Sequence, residues 1–148
     1  MQFVERNQTV NNYPKIIGIG IDIIEVTRIA SSCEKRVDRF EQRIYTQKER
    51  NYSGKPPLRY QRLAARFAAK EATFKALGTG LINGMQWTDI EVLPDELGKP
   101  VMTLFNETKR YAETIGVSDQ MITLSHTNDY AVANVILLGH PSTIKNLE

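Results

Sequence analysis

The sequence predicts an α+β fold in which a small, mostly antiparallel sheet packs against one long helix. Three patterns support this prediction: an alternating apolar segment near the N-terminus, a helical segment in the middle of the chain, and strand-like segments in the C-terminal half. The chain has 148 residues, which suits a single domain with one hydrophobic core. We expect this domain to span residues 15–140, between a loose extension (1–14) and a tail (141–148).

The first strand is predicted over residues 15–24. Alternation divides its side chains between two faces, with isoleucines on one face and small or acidic residues on the other. The first face consists of Ile17, Ile19, Ile21 and Ile23, and the second of Gly18, Gly20 and Asp22. Because glycine leaves room for a neighbouring backbone, another element should pack closely on the second face.

Two shorter helices are predicted between this strand and the long helix. The spacing of Asp22 and Glu25 resembles a capping box, which predicts a helix that continues to about Arg39. Thr46 and Glu49 have the same relationship ahead of a second, shorter helix. Residues 53–57, which include one glycine and two prolines, then break the chain.

The long helix is predicted over residues 58–77, with Gly78 as its natural end. Alternating and turn-forming residues predict the remaining elements. These are a strand (87–93), a return strand (101–105), a helix (107–115) and a final hairpin (120–126 and 130–138).

At about 100° per residue, the side chains of the long helix form three faces. An apolar face contains Tyr60, Leu63, Phe67 and Phe74, a small-residue face contains Ala65, Ala69, Ala72 and Ala76, and a basic face contains Arg59, Arg62, Arg66 and Lys70. The small-residue face allows a second element to approach closely. The basic face fits either a solvated surface or a site for phosphate groups.

Asp22 and Glu71 are the two carboxylates with the least solvated surroundings in the sequence. Asp22 fits either an N-cap or a metal ligand. Glu71 fits either an ion pair with Lys75, worth about 0.2–0.5 kcal/mol, or a second metal ligand. Because Mg²⁺ on a phosphorylated substrate takes one or two protein carboxylates, Asp22 and Glu71 form a candidate pair.

Composition excludes several classes of function. The net charge of +2, and the lack of aromatic residues interleaved with basic ones, disfavour a nucleic-acid binder. A single cysteine, Cys33, excludes an internal disulfide and suits a reducing compartment, so we interpret it as a passive thiol. No apolar run reaches the ~18 residues of a membrane span, and residues 1–14 lack the apolar region of a signal peptide. We therefore expect a cytoplasmic protein.

Three motifs, in order, are similar to those of the holo-acyl-carrier-protein synthase family of 4′-phosphopantetheinyl transferases. The motifs are residues 18–23 followed by Arg28-Ile29, residues 66–72 followed by Lys75-Ala76 and Gly78-Thr79-Gly80, and Ser125-His126-Thr127 with Tyr130-Ala131. Gly98-Lys99-Pro100 also falls where the family has such a turn. The resemblance covers residues 16–138, and the order and spacing of the motifs make it highly specific.

This resemblance implies an activity and a set of partners. The family moves the 4′-phosphopantetheine arm of coenzyme A to a serine of an apo acyl carrier protein, releases adenosine 3′,5′-bisphosphate, and serves fatty acid biosynthesis. It implies Mg²⁺ as cofactor, with Mn²⁺ as an alternative. It also implies a homotrimer with active sites between protomers, and no nucleic-acid or membrane partner.

The resemblance also implies roles for individual residues. Asp22 and Glu71 match the metal ligands, and Lys75 and His126 match catalytic residues near the pyrophosphate. The positions implied to contact coenzyme A are Arg59, Arg66, Lys70, Lys75, Gly78, Thr79, Gly80, His126 and Thr127. For the serine proton, the candidates are a metal-bound water and Glu49, although Glu49 fits a capping role better.

A basic stretch after the first strand matches the surface that receives the acidic carrier protein. Its candidate docking residues are Arg28, Arg36, Arg39 and Arg43. A mixed-charge solvated helix is the alternative, and Phe40 fits a core position better than an apolar anchor. A non-catalytic module that binds coenzyme A or a carrier protein also remains possible, although Asp22, Glu71 and Lys75 argue against it.

Overall fold

In residues 13–36, 38–82 and 84–139, which are those described by the computed structural model, the chain has five strands and five helices. The strands are β1 (Lys15–Glu25), β2 (Ile90–Pro94), β3 (Pro100–Leu104), β4 (Asp119–His126) and β5 (Tyr130–Gly139). The helices are α1 (Val26–Lys35), α2 (Arg39–Ile44), α3 (Gln47–Ser53), α4 (Leu58–Leu77) and α5 (Asn106–Thr114). The predicted tail, His140 and residues 1–12 of the predicted extension lie outside the described residues. The domain limits of 15 and 140 stay a prediction.

Two antiparallel sheets confirm the predicted α+β class. The larger sheet has the strand order β1-β5-β4, and the smaller one is the β2–β3 hairpin. The long helix α4 lies across β1 and β5 and buries its alanine face there. Ala131, Ala133, Val135 and Leu137 of β5 form the matching side of the core.

The glycines of β1 allow this close packing, as the sequence predicted. A Cβ atom built on Gly18 would lie 1.9 Å from the carbonyl oxygen of Ala76, and one on Gly20 would lie 1.8 Å from that of Ala72. Any side chain at these two positions would therefore separate α4 from β1. The contact holds α4 at a fixed height above Asp22, which follows Gly20 on the same face of the strand.

Three local predictions were wrong. The helix after β1 does not continue to Arg39, because Asp38 has a φ of 67° and divides it into α1 and α2. Asp22 does not cap this helix, since it lies inside β1 and pairs with Ala133. The predicted strand at Trp87 begins only at Ile90, after a 3₁₀ turn over Trp87–Asp89.

The outer face of the larger sheet is apolar and open. Ile19, Ile21 and Ile23 are 64%, 62% and 65% exposed, and Met121 on β4 is 58% exposed. Ile17, predicted on this face, instead packs against the core because the register of β1 shifts between Ile16 and Gly18. None of the described helices is both long and apolar enough to cross a membrane.

Candidate active site

Strand β1 and helix α4 bring the predicted metal pair together. The Lys75 Nζ donates hydrogen bonds to Asp22 Oδ1 at 2.9 Å and to the carbonyl oxygen of Ile21 at 2.9 Å. The Asp22 side chain is 16% exposed, whereas that of Lys75 is 52% exposed. Lys75 thus reaches from solvent onto a mostly buried carboxylate.

Glu71 lies beside Asp22, one helical turn before Lys75. Burial raises the pKa of Glu71, the negative charge of Asp22 raises it further, and Lys75 lowers it by a smaller amount. Among the residues that the structure describes, Glu71 has neither an ion-pair nor a hydrogen-bond partner, so the predicted alternative of a Glu71–Lys75 ion pair is wrong. A half-buried carboxylate without a partner, next to a second carboxylate, is a place where added positive charge is stabilising.

The donor set limits how a metal could be held. In the described part of the chain, no group of three or more His, Cys, Asp or Glu side chains is placed to bind a metal ion. Asp22 and Glu71 alone would serve as protein ligands, and the remaining oxygens would come from phosphate and water. This donor set fits Mg²⁺, which keeps several waters and binds through one or two carboxylates plus substrate phosphates.

A cavity on the other flank of α4 contains Arg66 and His126. Its volume is about 310 Å³. The guanidinium carbons of Arg66 and Arg62 lie 4.5 Å and 5.0 Å from the ring centroid of Tyr52. The remaining lining residues are Leu58, Ala65, Pro94, Gly98, Pro100 and Leu124. Two arginines and an imidazole in one concave site suit phosphate groups, and the apolar walls suit a flat ring system.

Within one chain, these two groups do not form one site. At about 100° per residue, Glu71 lies about 140° from Arg66 around the axis of α4, and Lys75 about 180° from it. His126 is likewise on β4, at the opposite edge of the sheet from the β1 strand that carries Asp22. The metal pair and the Arg66–His126 cavity therefore face opposite sides of α4.

The structure contradicts the predicted contact of Lys70 with coenzyme A, whereas that of Arg59 stays a prediction. Lys70 is 0% exposed, and its Nζ donates to Glu49 Oε2 at 2.9 Å and to the backbone carbonyls of Trp87 and Ile90. Arg59 pairs with Glu41 through two nitrogens and donates to the carbonyls of Arg50 and Gly54. Lys70 therefore has no donor left for a ligand, whereas the Arg59 side chain is 20% exposed.

The candidate role of Glu49 as a general base is also contradicted by the structure. Its side chain is 0% exposed, and its oxygens accept from Thr46 N, Val92 N and Lys70 Nζ, each at 2.9 Å. The predicted capping role is confirmed, because Thr46 and Glu49 form a reciprocal capping box at the start of α3. A carboxylate with no solvent contact cannot take a proton from an incoming serine.

The remaining residues predicted to contact coenzyme A lie at two turns. Gly78 ends α4 in the left-handed conformation, with a φ of 78°, and the Thr79 hydroxyl donates to the Gly80 carbonyl at 2.7 Å. A Cβ atom at Gly78 or Gly80 would meet nothing within 4 Å, so only their positive φ values require glycine in this chain. Thr127 Oγ1 accepts from the backbone amides of Asp129 and Tyr130 and holds the β4–β5 turn.

Three of the predicted docking arginines come together around a second cavity. Arg36, Arg39 and Arg43 line an open space of about 560 Å³ beside α2, together with Lys35 and Phe40. Arg28 is exposed on α1 and does not line this space. Phe40 packs partly against the core, as predicted, and its ring meets that of Tyr45 edge-on at 6.3 Å.

Sequence reasoning missed Tyr52 of the Arg66–His126 cavity. Arg62 lies on the predicted basic face, for which a phosphate site was one of the two alternatives. Tyr52 lies on α3, and only tertiary contact places its ring under the two guanidinium groups. No sequence pattern links Tyr52 to α4.

Comparison with known proteins identifies close relatives. Residues 18–135 match a family model described as 4′-phosphopantetheinyl transferase superfamily. Holo-[acyl-carrier-protein] synthases from Koribacter versatilis and Solibacter usitatus are 46% and 44% identical to this chain over 122 residues. Each alignment covers 82% of this chain and 98% of the relative.

Solved structures of the same kind of protein share this fold. A holo-(acyl-carrier-protein) synthase from Bacillus anthracis, crystallised in complex with CoA (3′,5′-ADP), is 39% identical with a TM-score of 0.70, over 84% of this chain and 97% of that one. A holo-[acyl-carrier-protein] synthase from Helicobacter pylori, in complex with coenzyme A, is 27% identical with a TM-score of 0.71, over 80% and 98% of the two chains.

Proposed function

Because this chain belongs to the 4′-phosphopantetheinyl transferase superfamily, we propose that it transfers 4′-phosphopantetheine from coenzyme A to a serine of apo acyl carrier protein. The products are holo-carrier protein and adenosine 3′,5′-bisphosphate. One structural observation supports this site as the place of the reaction. Asp22 and Glu71, from distant parts of the chain, lie together beside Lys75.

Asp22 and Glu71 are proposed to hold a divalent cation, Mg²⁺ or Mn²⁺. The unpartnered carboxylate of Glu71 and its raised pKa support this, since a cation would neutralise two neighbouring carboxylates. When bound, the ion would neutralise the pyrophosphate of coenzyme A and make its β-phosphorus more electrophilic. The other tasks of catalysis are then positioning and charge neutralisation by side chains.

The reaction is proposed to be an in-line displacement at phosphorus. The serine Oγ of the carrier protein forms a bond to the β-phosphorus, and the bond from that phosphorus to the leaving adenosine 3′,5′-bisphosphate breaks. Lys75, which is half exposed at the metal pair, neutralises the charge that develops on the leaving phosphate. With Glu49 buried and saturated, we assign the serine proton to a water molecule.

Arg66 and His126 are proposed to bind the nucleotide phosphates, and the apolar walls of their cavity to bind the adenine. Arg62 and Tyr52 join this set because they line the same cavity. Since this cavity and the metal pair face opposite sides of α4, a single chain would present two half-sites. Coenzyme A would reach both halves when the Arg66–His126 cavity of one protomer faces the metal pair of another.

The outer face of the larger sheet supports self-association, which we propose gives the homotrimer that the family resemblance implies. Ile19, Ile21 and Ile23 form an exposed apolar row, which in soluble proteins marks an interaction surface. Asn134, at the centre of this face on β5, has a buried Oδ1 that accepts no hydrogen bond in the described structure. Both features are satisfied if the same face of other protomers covers them.

The basic cavity beside α2 is proposed to receive the carrier protein. Arg36, Arg39 and Arg43 present positive charge to an acidic partner, and Lys35 adds to it. This surface follows β1 in the chain through α1. A carrier protein bound there would have to present its serine to the metal pair.

Mass spectrometry of the carrier protein tests the proposed reaction. The purified chain is mixed with coenzyme A, Mg²⁺ and an apo carrier protein, and the expected result is a mass increase of one phosphopantetheine group. Leaving out Mg²⁺ and adding a chelator should abolish the mass increase of the carrier protein. No increase, in a mixture where a known transferase works, would contradict the proposal.

Sedimentation of a surface variant tests the trimer. Ile21→Lys should shift the protein towards monomers and reduce transfer, because it places a charge in the apolar face. Leu97→Lys, on the exposed tip of the β2–β3 hairpin, is the matched control and should leave both properties unchanged. An unchanged sedimentation coefficient for Ile21→Lys would show that this face is not the interface.

A further inference from the structure

The open edge of β2 is closed by side chains instead of another strand. Among the described residues, β2 pairs with β3 on one side only. On its other side, Val92 N donates to Glu49 Oε1 at 2.9 Å, and the Val92 carbonyl accepts from Arg66 Nε at 2.9 Å. The Ile90 carbonyl accepts from Lys70 Nζ. Three charged side chains from α3 and α4 therefore take the place of a neighbouring strand.

Glu49 and Lys70 form the fully buried part of this arrangement. Both are 0% exposed and are joined at 2.9 Å. Lys70 uses all three of its donors, because it also bonds the carbonyls of Trp87 and Ile90. Glu49 links three elements at once, since it lies on α3, accepts from Lys70 of α4 and accepts from Val92 of β2. Neither residue has a group left to bind a ligand.

The same hairpin forms one wall of the Arg66–His126 cavity. Pro94, Gly98 and Pro100 line the cavity from the hairpin, and Arg62 and Arg66 line it from α4. At the far end of the hairpin, Leu97 is 95% exposed, so the tip has no packing of its own to hold it. The separation of the two walls is therefore set at the base of the hairpin, where Glu49 and Lys70 attach β2 to α4.

We propose that Glu49 is a positioning residue for nucleotide binding: with Lys70, it locks the edge of β2 to α4 and so sets the width of the Arg66–His126 cavity. The inference rests on the proposed function, because it takes coenzyme A as the occupant of this cavity. It assigns to Glu49 and Lys70 a role that acts through Arg66 and the hairpin, without contact with the substrate.

The first test is kinetic. In Glu49→Gln, the amide nitrogen would face either Thr46 N and Lys70 Nζ or, in the flipped orientation, Val92 N. Either orientation sets donor against donor and breaks the attachment while preserving side-chain size. We expect the KM for coenzyme A to rise about tenfold or more, whereas kcat and the KM for the carrier protein change less than about threefold. Titration calorimetry with adenosine 3′,5′-bisphosphate should show a matching loss of affinity, independent of transfer.

Ala112→Gly is the matched control for a general loss of stability. Ala112 is buried on α5 and lines neither the cavity nor the open edge of β2, and glycine weakens a helix interior. This variant should lower the Tm while leaving the affinity for adenosine 3′,5′-bisphosphate unchanged. If Glu49→Gln does not fold, Glu49→Asp takes its place in the test. Aspartate keeps the charge but is too short to reach all three partners, so this variant should also raise the KM for coenzyme A.

The outcomes separate this inference from the proposed function. An unchanged KM and an unchanged affinity in a folded Glu49 variant would overturn the positioning role and leave the transferase in place. Equal losses of affinity in Ala112→Gly and the Glu49 variants would also overturn it, because reduced stability alone would then explain both. Absence of transfer by the wild-type chain would instead overturn the proposed function, while the calorimetric test would still apply.

Discussion

Two lysine–carboxylate pairs on opposite flanks of α4 show how differently one type of contact can be used. Lys70 meets Glu49 and Lys75 meets Asp22, both at 2.9 Å. The first pair is sealed from solvent, and its donors and acceptors all have protein partners. The second pair is reached by solvent and has an extra carboxylate, Glu71, with no partner in the described structure.

This difference separates a structural pair from a reactive one. A buried ion pair persists only when its polar groups are satisfied, since each unpaired charge costs several kcal/mol. Such a saturated pair can hold elements together, but it cannot bind a ligand. Asp22, Glu71 and Lys75 together carry one unpaired negative charge at a half-open position, which suits the cation that we propose there.

The largest effect is expected from the unpartnered carboxylate. Glu71→Gln should lower transfer about a thousandfold or more, because the amide would no longer help to hold the divalent cation. Circular dichroism and thermal unfolding should show an intact fold, with a Tm equal to or above that of the wild type, since repulsion from Asp22 is removed. Glu113→Gln, on the exposed face of α5, is the matched control for activity. Transfer near the wild-type rate by Glu71→Gln would show that Glu71 is not a metal ligand.

Substitution of the two lysines should affect different properties, stability for Lys70 and catalysis for Lys75. Lys70→Met leaves Glu49 as an uncompensated buried charge, so urea unfolding should show a loss of about 3–5 kcal/mol in the free energy of unfolding. Lys75→Met removes a half-exposed cation, so stability should change little while kcat falls. If Lys75→Met were the more destabilising of the two, the division into structural and reactive flanks would be wrong.

A smaller effect is expected where charge is fully exposed. Arg39→Glu should raise the KM for the carrier protein about fivefold to tenfold and leave the KM for coenzyme A unchanged. Added salt should reduce the difference between the variant and the wild type, because screening weakens attraction between exposed charges. The same substitution at Arg110, on α5, serves as a control. Equal effects at both arginines would show only a dependence on net charge.

The smallest functional effect is expected at Cys33, beside the Arg59–Glu41 pair. Burial, together with the charge of Glu41 and a hydrogen bond to it, raises the pKa of this thiol from 9.0 to about 12. Iodoacetamide should therefore label the native chain at neutral pH far more slowly than the chain in urea. The associated stability is complete below pH 9, the unfolded value, and is lost as the pH rises towards 12. Rapid labelling of the native chain would contradict this.

Much of the fold and half of the site could be predicted from local sequence. The glycines and Asp22 on one face of β1, the length of α4 and its end at Gly78 all follow from periodicity and backbone preference. The capping box of Thr46 and Glu49 is equally local. The predictions failed where a side chain's partner lies far along the chain, as with Lys70, which shares a helical face with Arg66 but ends against Glu49.

The sequence by itself predicted that a carboxylate on β1 and another on α4 belong to one site, because both stand in motifs whose order and spacing resemble those of one family. Only the tertiary structure decided which charged groups remain available. Whether Lys70, Glu49 and Arg59 reach solvent depends on how α3, β2 and α4 pack, and that packing joins residues about 20 to 40 positions apart in the sequence. Burial and saturation of hydrogen bonds are properties of these distant contacts, so no local pattern could distinguish Lys70 from Lys75.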